Sequence, residues 1–156
     1  MCPVAASLNQ LGDRWTLMIV REALNGATRF GDFRRNTGIA KNLLAARLAQ
    51  MVEDGILSRH DIGQRGVRHE YRLTPKGQSL VPVMVAISQW GNQWVFGEGR
   101  APVALVHRET GEPIAPLRPA NAAGAMFDWR DVRMRPGPGA DAALMARIPS
   151  NRSGEE

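Results

Sequence analysis

An α+β fold, mainly helical, is what this 156-residue sequence predicts, and three observations carry the expectation. Apolar residues recur three and four apart in four successive segments before residue 55, the signature of amphipathic helices. The period then changes toward alternation over two short runs that bracket "GQRG", and one more helical pattern follows. Beyond residue 101, where seven of the ten prolines lie, periodicity breaks into short turns.

The first helix runs from Pro3 to Leu11, with Val4, Leu8 and Leu11 at helical spacing and Pro3 suited to a first turn that needs no amide donor. Asp13 is placed to cap a second helix over about 14 to 25, with Trp15, Met18, Ile19 and Ala23 on one face and Gly26 as its stop. In "TRFGDFRRNTG", Thr28 is the expected cap of a third, shorter helix, with Phe30 and Phe33 turned inward and Gly38 ending it. The fourth, "AKNLLAARLAQMVEDG", puts Leu44, Leu48, Met51 and Val52 on a buried stripe and closes at Gly55.

"ILSRHDI" and "VRHEYRL" then read as a hairpin with a glycine-bearing loop. Thr74, Pro75 and Lys76 open a helix that carries Leu80, Met84, Ile87, Trp90 and Trp94 on one side. Pro82 lacks a backbone donor, so a kink or a late start is expected there. "VALVHRETGEPIAPL" predicts a small hairpin turning near Glu109 to Gly111, and "MFDWRDVRMR" could supply a further strand. The expected organisation is a unit over 1–96, a small β-hairpin extension over 97–138, and a flexible tail over 139–156.

Composition excludes several functions. The longest apolar runs, such as "VPVMVAI", fall far short of the ~20 residues that cross a bilayer, and "MCPVAASLNQ" lacks the pattern of a signal peptide. A cytoplasmic location without membrane contact is therefore expected. The single cysteine, Cys2, rules out an intrachain disulfide and any cysteine-based zinc site. His60, His69 and His107 form no metal cluster, no nucleophile with a nearby base is legible, and "GATRFGDF" lacks the lysine and spacing of a P-loop. Neither an enzyme nor a bound metal or cofactor is expected.

Charge is informative once it is mapped. Residues 28–76 hold ten Lys or Arg against five Asp or Glu, and the stretches on either side each sum to zero, so the whole excess of +5 lies in this segment. Eighteen of the twenty cations are arginine, whose guanidinium matches phosphate in a bidentate way, which points to a polyanion. Helices followed by a hairpin with a basic tip are the order of a winged helix-turn-helix, in which the third and fourth helices form the turn motif. The fourth can enter a major groove, and the hairpin is the wing. Lys41, Asn42 and Ala45 lie opposite Leu44 and Leu48, near the helix end that meets bases. Asn can read adenine and Lys can reach guanine or phosphate. Thr28, Arg29, Arg34 and Arg35 bracket the third helix, and Arg65 and Arg68 flank the wing tip, where one of them could enter a minor groove. Double-stranded DNA is the expected partner.

The fragments "CP", "GDRWTLMIV", "RFGDFRR", "IAKNLLAARL", "EDGIL", "EYRLTPKG" and "QW" occur in an order and spacing that resemble the HxlR family of bacterial winged-helix transcriptional regulators, over roughly residues 2–95. The resemblance implies a homodimer on operator DNA, held by the first and last helices of this region. Val4, Leu8, Leu80, Met84, Ile87, Trp90 and Trp94 are then the expected interface. Ala45 stands where members more often carry a hydroxyl, which suggests contact with a thymine methyl, and Arg47 resembles the family's phosphate-clamping arginine. Trp15 fits a family position in the second helix; with Trp90 and Trp94 it is a candidate for lining an effector pocket. Cys2 sits at the "CP" position through which some members resemble redox or quinone sensors. Where longer members look cysteine-rich, this chain has Thr110, Ala120 and Ala123, which speaks against a metal. The alternatives are a winged module that binds protein without reading an operator, and a small-molecule-binding module.

Overall fold

The computed structural model describes residues 2–63 and 68–147. Helix α1 (Pro3–Leu11) begins on Pro3, and none of its residues is buried. Helix α2 (Arg14–Leu24) is capped as its sequence demands: the Asp13 carboxylate accepts the Trp15 amide at 2.8 Å. Its inner face, Thr16, Ile19 and Val20, is buried together with the carboxylate of Glu22. A buried charge is costly unless paired, and Glu22 accepts from Arg21 Nε and from Asn36 Nδ2, each at 2.8 Å. Asn36 lies on α3 (Phe30–Thr37), so this polar contact pins α3 against α2.

The residue at the start of α3 differs from expectation. Arg29, not Thr28, is the cap, and no side chain hydrogen-bonds there. The Thr28 carbonyl instead accepts the Tyr71 amide at 2.8 Å, and Arg29 forms a one-residue antiparallel bridge with Glu70. The segment is thus drawn to the edge of the hairpin. Gly38, at φ 70°, ends α3 in the left-handed region that a β-carbon disfavours.

Helix α4 (Lys41–Glu53) buries Leu44, Leu48 and Met51 against Ile19, Val20, Phe33, Ile39, Ile56 and Leu57, which form the core. Strands β1 (Leu57–Asp61) and β2 (His69–Leu73) pair antiparallel from Leu57 opposite Leu73 to Asp61 opposite His69. Tyr71 meets Phe33 edge to face, with ring centroids 6.5 Å apart. The Thr74 hydroxyl donates to the Gly55 carbonyl at 2.6 Å and accepts the Gly77 amide at 3.1 Å, which caps the short α5 (Pro75–Gln78) under the hairpin. Gly77 lies so close that an added Cβ would overlap the Ile56 carbonyl oxygen and sit 2.8 Å from Leu73 Cδ2. Gly77→Ala is therefore expected to lower stability by about 1–3 kcal/mol, read as a lower thermal midpoint.

Helix α6 (Val81–Gly91) starts one residue before Pro82, the late start that the proline implies. Leu80 and Met84 are partly buried against the protomer's own core, whereas Val81, Val83, Ile87 and Trp90 are exposed. One periodic face thus meets the core at its start, at Leu80 and Met84, and is exposed further along, at Ile87 and Trp90. A π-helical turn, Asn92–Phe96, ends at Gly97. The predicted hairpin follows: Val106 bridges Pro113, Ile114 N donates to Leu105 O at 2.9 Å, and His107 N to Glu112 O at 2.8 Å. In "MFDWRDVRMR" the expected strand reduces to a single bridge, Met126 with Ala120. A short helix, α7 (Ala142–Arg147), lies in the segment read as a tail.

Candidate nucleic-acid interface

The core dictates how α4 is presented. With Leu44, Leu48 and Met51 anchored inward, Lys41, Asn42, Ala45 and Ala46 are left exposed at its N-terminal half. Ala40, extended at φ −60° and ψ 139°, supplies no side-chain acceptor to the first turn. Amides at that end are thereby available to an anionic partner.

A groove of about 500 Å³ opens where the start of α3 faces the hairpin, lined by Arg29, Phe30, Gly31, Ile62, Arg68, His69 and Tyr71. It brings together two of the arginines singled out from the sequence. Arg29 Nε stands 3.8 Å from Glu70 Oε1, and Arg72 donates to Glu70 Oε2 at 2.9 Å, so a single carboxylate orients two guanidinium groups that remain mostly exposed. His69 Nδ1 is buried without a hydrogen-bond partner. Arg68 is exposed, and Arg65 lies outside the described residues.

The other arginines divide. Arg34 is exposed on α3; Arg35 pairs with Asp32 at 2.7 Å across one helical turn. Arg47 donates to Asp13 at 3.0 Å, each side chain about a third exposed, at 33% and 31%. It ties α4 to the cap of α2, a contact between residues 34 positions apart that no local pattern announces. The pair is expected to couple by roughly 0.2–1 kcal/mol, measured as a double-mutant cycle of Asp13→Ala and Arg47→Ala in urea. Additive losses would show that the contact adds nothing to stability.

The remaining candidates do not line the groove. Val4, Leu8, Ile87, Trp90 and Trp94 are exposed. Trp15 is half-buried against the core, with the Arg14 guanidinium 4.3 Å from its ring centroid. A second cavity, of about 150 Å³, lies between α1 and α5 and is lined by Ser7, Gln10, Leu11, Ile56, Lys76, Ser79 and Leu80. Neither cavity is lined by Trp15, Trp90 or Trp94. Cys2 is exposed at the start of α1. Among the described residues, no group of three or more His, Cys, Asp or Glu side chains could hold a metal ion, and no helix is long and apolar enough to cross a membrane.

Comparison with known proteins agrees with this fold. An uncharacterized HTH-type transcriptional regulator of Mycobacterium tuberculosis is 38% identical over 141 residues, spanning 90% of this chain and 89% of its own. The crystal structure of PA1607, whose assignment as a transcription factor is itself inferred, is 42% identical, with a TM-score of 0.79 over 86% of this chain and 94% of its own. The redox regulator HypR in its reduced form is 31% identical, with a TM-score of 0.54 over 58% of this chain and 90% of its own. The family model for the HxlR-like helix-turn-helix matches residues 10–98, from the end of α1 through the wing to just past α6. A helix-turn-helix followed by a two-stranded wing, matched over that span, makes this chain a member of the HxlR-like helix-turn-helix family, whose relatives are transcriptional regulators.

Proposed function

We propose that the chain is a homodimeric regulator that reads an operator in double-stranded DNA. Helix α4 enters the major groove, Lys41 and Asn42 reach base edges, and Ala45 meets a thymine methyl. Arg29, Arg34, Arg35, Arg68 and, beyond the described residues, Arg65 take backbone phosphates. The observation that carries the reading is the exposed, polar N-terminal face of α4 within the one segment that holds the chain's whole positive excess. A protein-binding wing has no need of that concentration. The test is selection of fragments from the source organism's genomic DNA. Enriched fragments sharing a two-fold symmetric motif support the reading, and an unenriched pool sinks it.

A second reading, regulation through a thiol, draws support from the exposure of Cys2 before Pro3 and from the likeness to HypR, itself a redox regulator. The helix N-terminus favours the thiolate. With one cysteine in the chain, oxidation would end as a bond between subunits, a mixed disulfide or a higher sulfur acid. The expected result is an alkylation midpoint below the ordinary thiol value of about 8.5, with DNA binding altered by mild peroxide. An ordinary midpoint with unchanged binding removes the reading.

A further inference from the structure

The extension after α6 is held in place but has no core. Gln89 on α6 donates from Nε2 to the Ala115 carbonyl at 2.9 Å and accepts the Leu117 amide at 2.8 Å. Asn92 donates to the Val103 carbonyl at 2.9 Å, and Arg108 to the Leu24 carbonyl at 3.4 Å. These contacts fix the backbone around residues 103–117 beside α6 and the end of α2. Yet no described residue from 98 to 146 is buried, and Leu117, Met126, Trp129 and Met134 are 49%, 69%, 74% and 71% exposed.

From this we infer that residues 100–134 form an arm that clasps a second copy of the chain, its apolar face seated on the partner protomer beside the α6 contact. The inference rests on the dimer proposed above and assigns to the extension a role that the expected α1 and α6 contact does not contain.

Three features select a second copy as the occupant. The first is area. Trp90, Trp94 and Trp129 are 61%, 68% and 74% exposed, and a tryptophan presents ~150–250 Å², so three indoles alone leave roughly 300–500 Å² open. That already matches the largest apolar patch of an ordinary monomer, about 300–600 Å². It is also a substantial part of the ~800 Å² each partner contributes to a stable interface, before the methionines and valines are counted. The second is charge. A two-fold contact sets a surface against itself, and residues 77–156 carry eight Arg against eight Asp or Glu, whereas the positive excess is confined to the DNA-facing segment. The third is continuity. Gln89 and Asn92 fasten Ala115, Leu117 and Val103 of the arm to the helical stretch that bears the exposed Trp90 and Trp94, so this part of the arm runs beside that apolar surface.

The test uses the full chain and one variant, Met126→Glu/Trp129→Glu/Met134→Glu, at positions exposed in the protomer. Sedimentation should give a dimer for the native chain and a dissociation constant raised about 100-fold or more for the variant, with the helical circular dichroism unchanged. A variant as tightly dimeric as the native chain overturns the arm and leaves the dimer standing; some other protein or an apolar ligand would then cover the face. A monomeric native chain overturns both readings. A variant that loses its helical signal shows the arm packing on its own protomer and also overturns the inference. Amide exchange on the native chain gives an independent measure: protection over 100–134 should fall on dilution together with that of α6, and exchange there that ignores concentration contradicts the clasp.

Discussion

Phe33→Ala is expected to lower stability by about 3–5 kcal/mol, a large fraction of the ~5–15 kcal/mol that holds a small domain folded. Phe33 is fully buried, and it is the point where α2, α3, α4 and the wing meet. Its ring touches Tyr71 on β2 edge to face, and Ile19, Leu44 and Leu48 share its core. Truncation removes the transfer energy of the ring and leaves a cavity that four elements cannot jointly close. The measurement is urea unfolding, with the midpoint lowered and the slope unchanged. A loss below about 1.5 kcal/mol, the scale of a volume-conserving swap, would mean that the motif is not organised around this ring. DNA affinity should fall with it, because α3 and its arginines are placed by the same packing.

Asn42→Ala is expected to cost about 1–3 kcal/mol, roughly 5- to 150-fold, against a selected operator. Binding to unrelated duplex should be nearly unchanged. Asn42 is exposed in the first turn of α4 and is not needed by the core, so unfolding should stay within about 0.5 kcal/mol of the native chain. A base contact leaves the salt dependence of binding alone; losing a phosphate contact flattens its slope by about 0.9. Arg68→Ala, beside the wing tip, is the matched control: weaker binding to every sequence, with the flatter slope. Equal shifts in affinity and slope for both variants would remove the distinction between base-reading and phosphate-holding residues.

Much of this architecture was legible because it is local. The Asp13 cap, the stops at Gly38 and Gly55, the late start at Pro82 and the turn near Glu109 each depend on neighbours within a few positions, which is the range over which turn and cap chemistry acts. The departures share another cause. Thr28 has the chemistry of a cap, but its backbone is claimed by Tyr71, 43 positions away, and the helix begins at the next residue. Leu80, Met84, Ile87, Trp90 and Trp94 look like one stripe by spacing, yet only Leu80 and Met84, at the start of α6, lie near enough to the core to pack against it, and the rest of the stripe runs past it into the open. Periodicity tells which residues share a face and not what that face meets.

The candidate site follows the same division. That Lys41, Asn42 and Ala45 point outward follows from Leu44 and Leu48 pointing inward. The Glu22 contact to Asn36, the Arg47 contact to Asp13 and the groove joining Arg29 to Arg68 all connect distant segments of the chain. Each requires the fold before it can be seen.

The most direct test of the central claim, that paired α4 helices read an operator from a two-fold dimer, is hydroxyl-radical footprinting on a selected fragment. The account predicts two protected half-sites on one face of the duplex, with centres about 34–36 Å apart or a multiple of that spacing, and weaker protection outside them where the wings reach. A single protected patch, or even protection along the whole duplex, would contradict it.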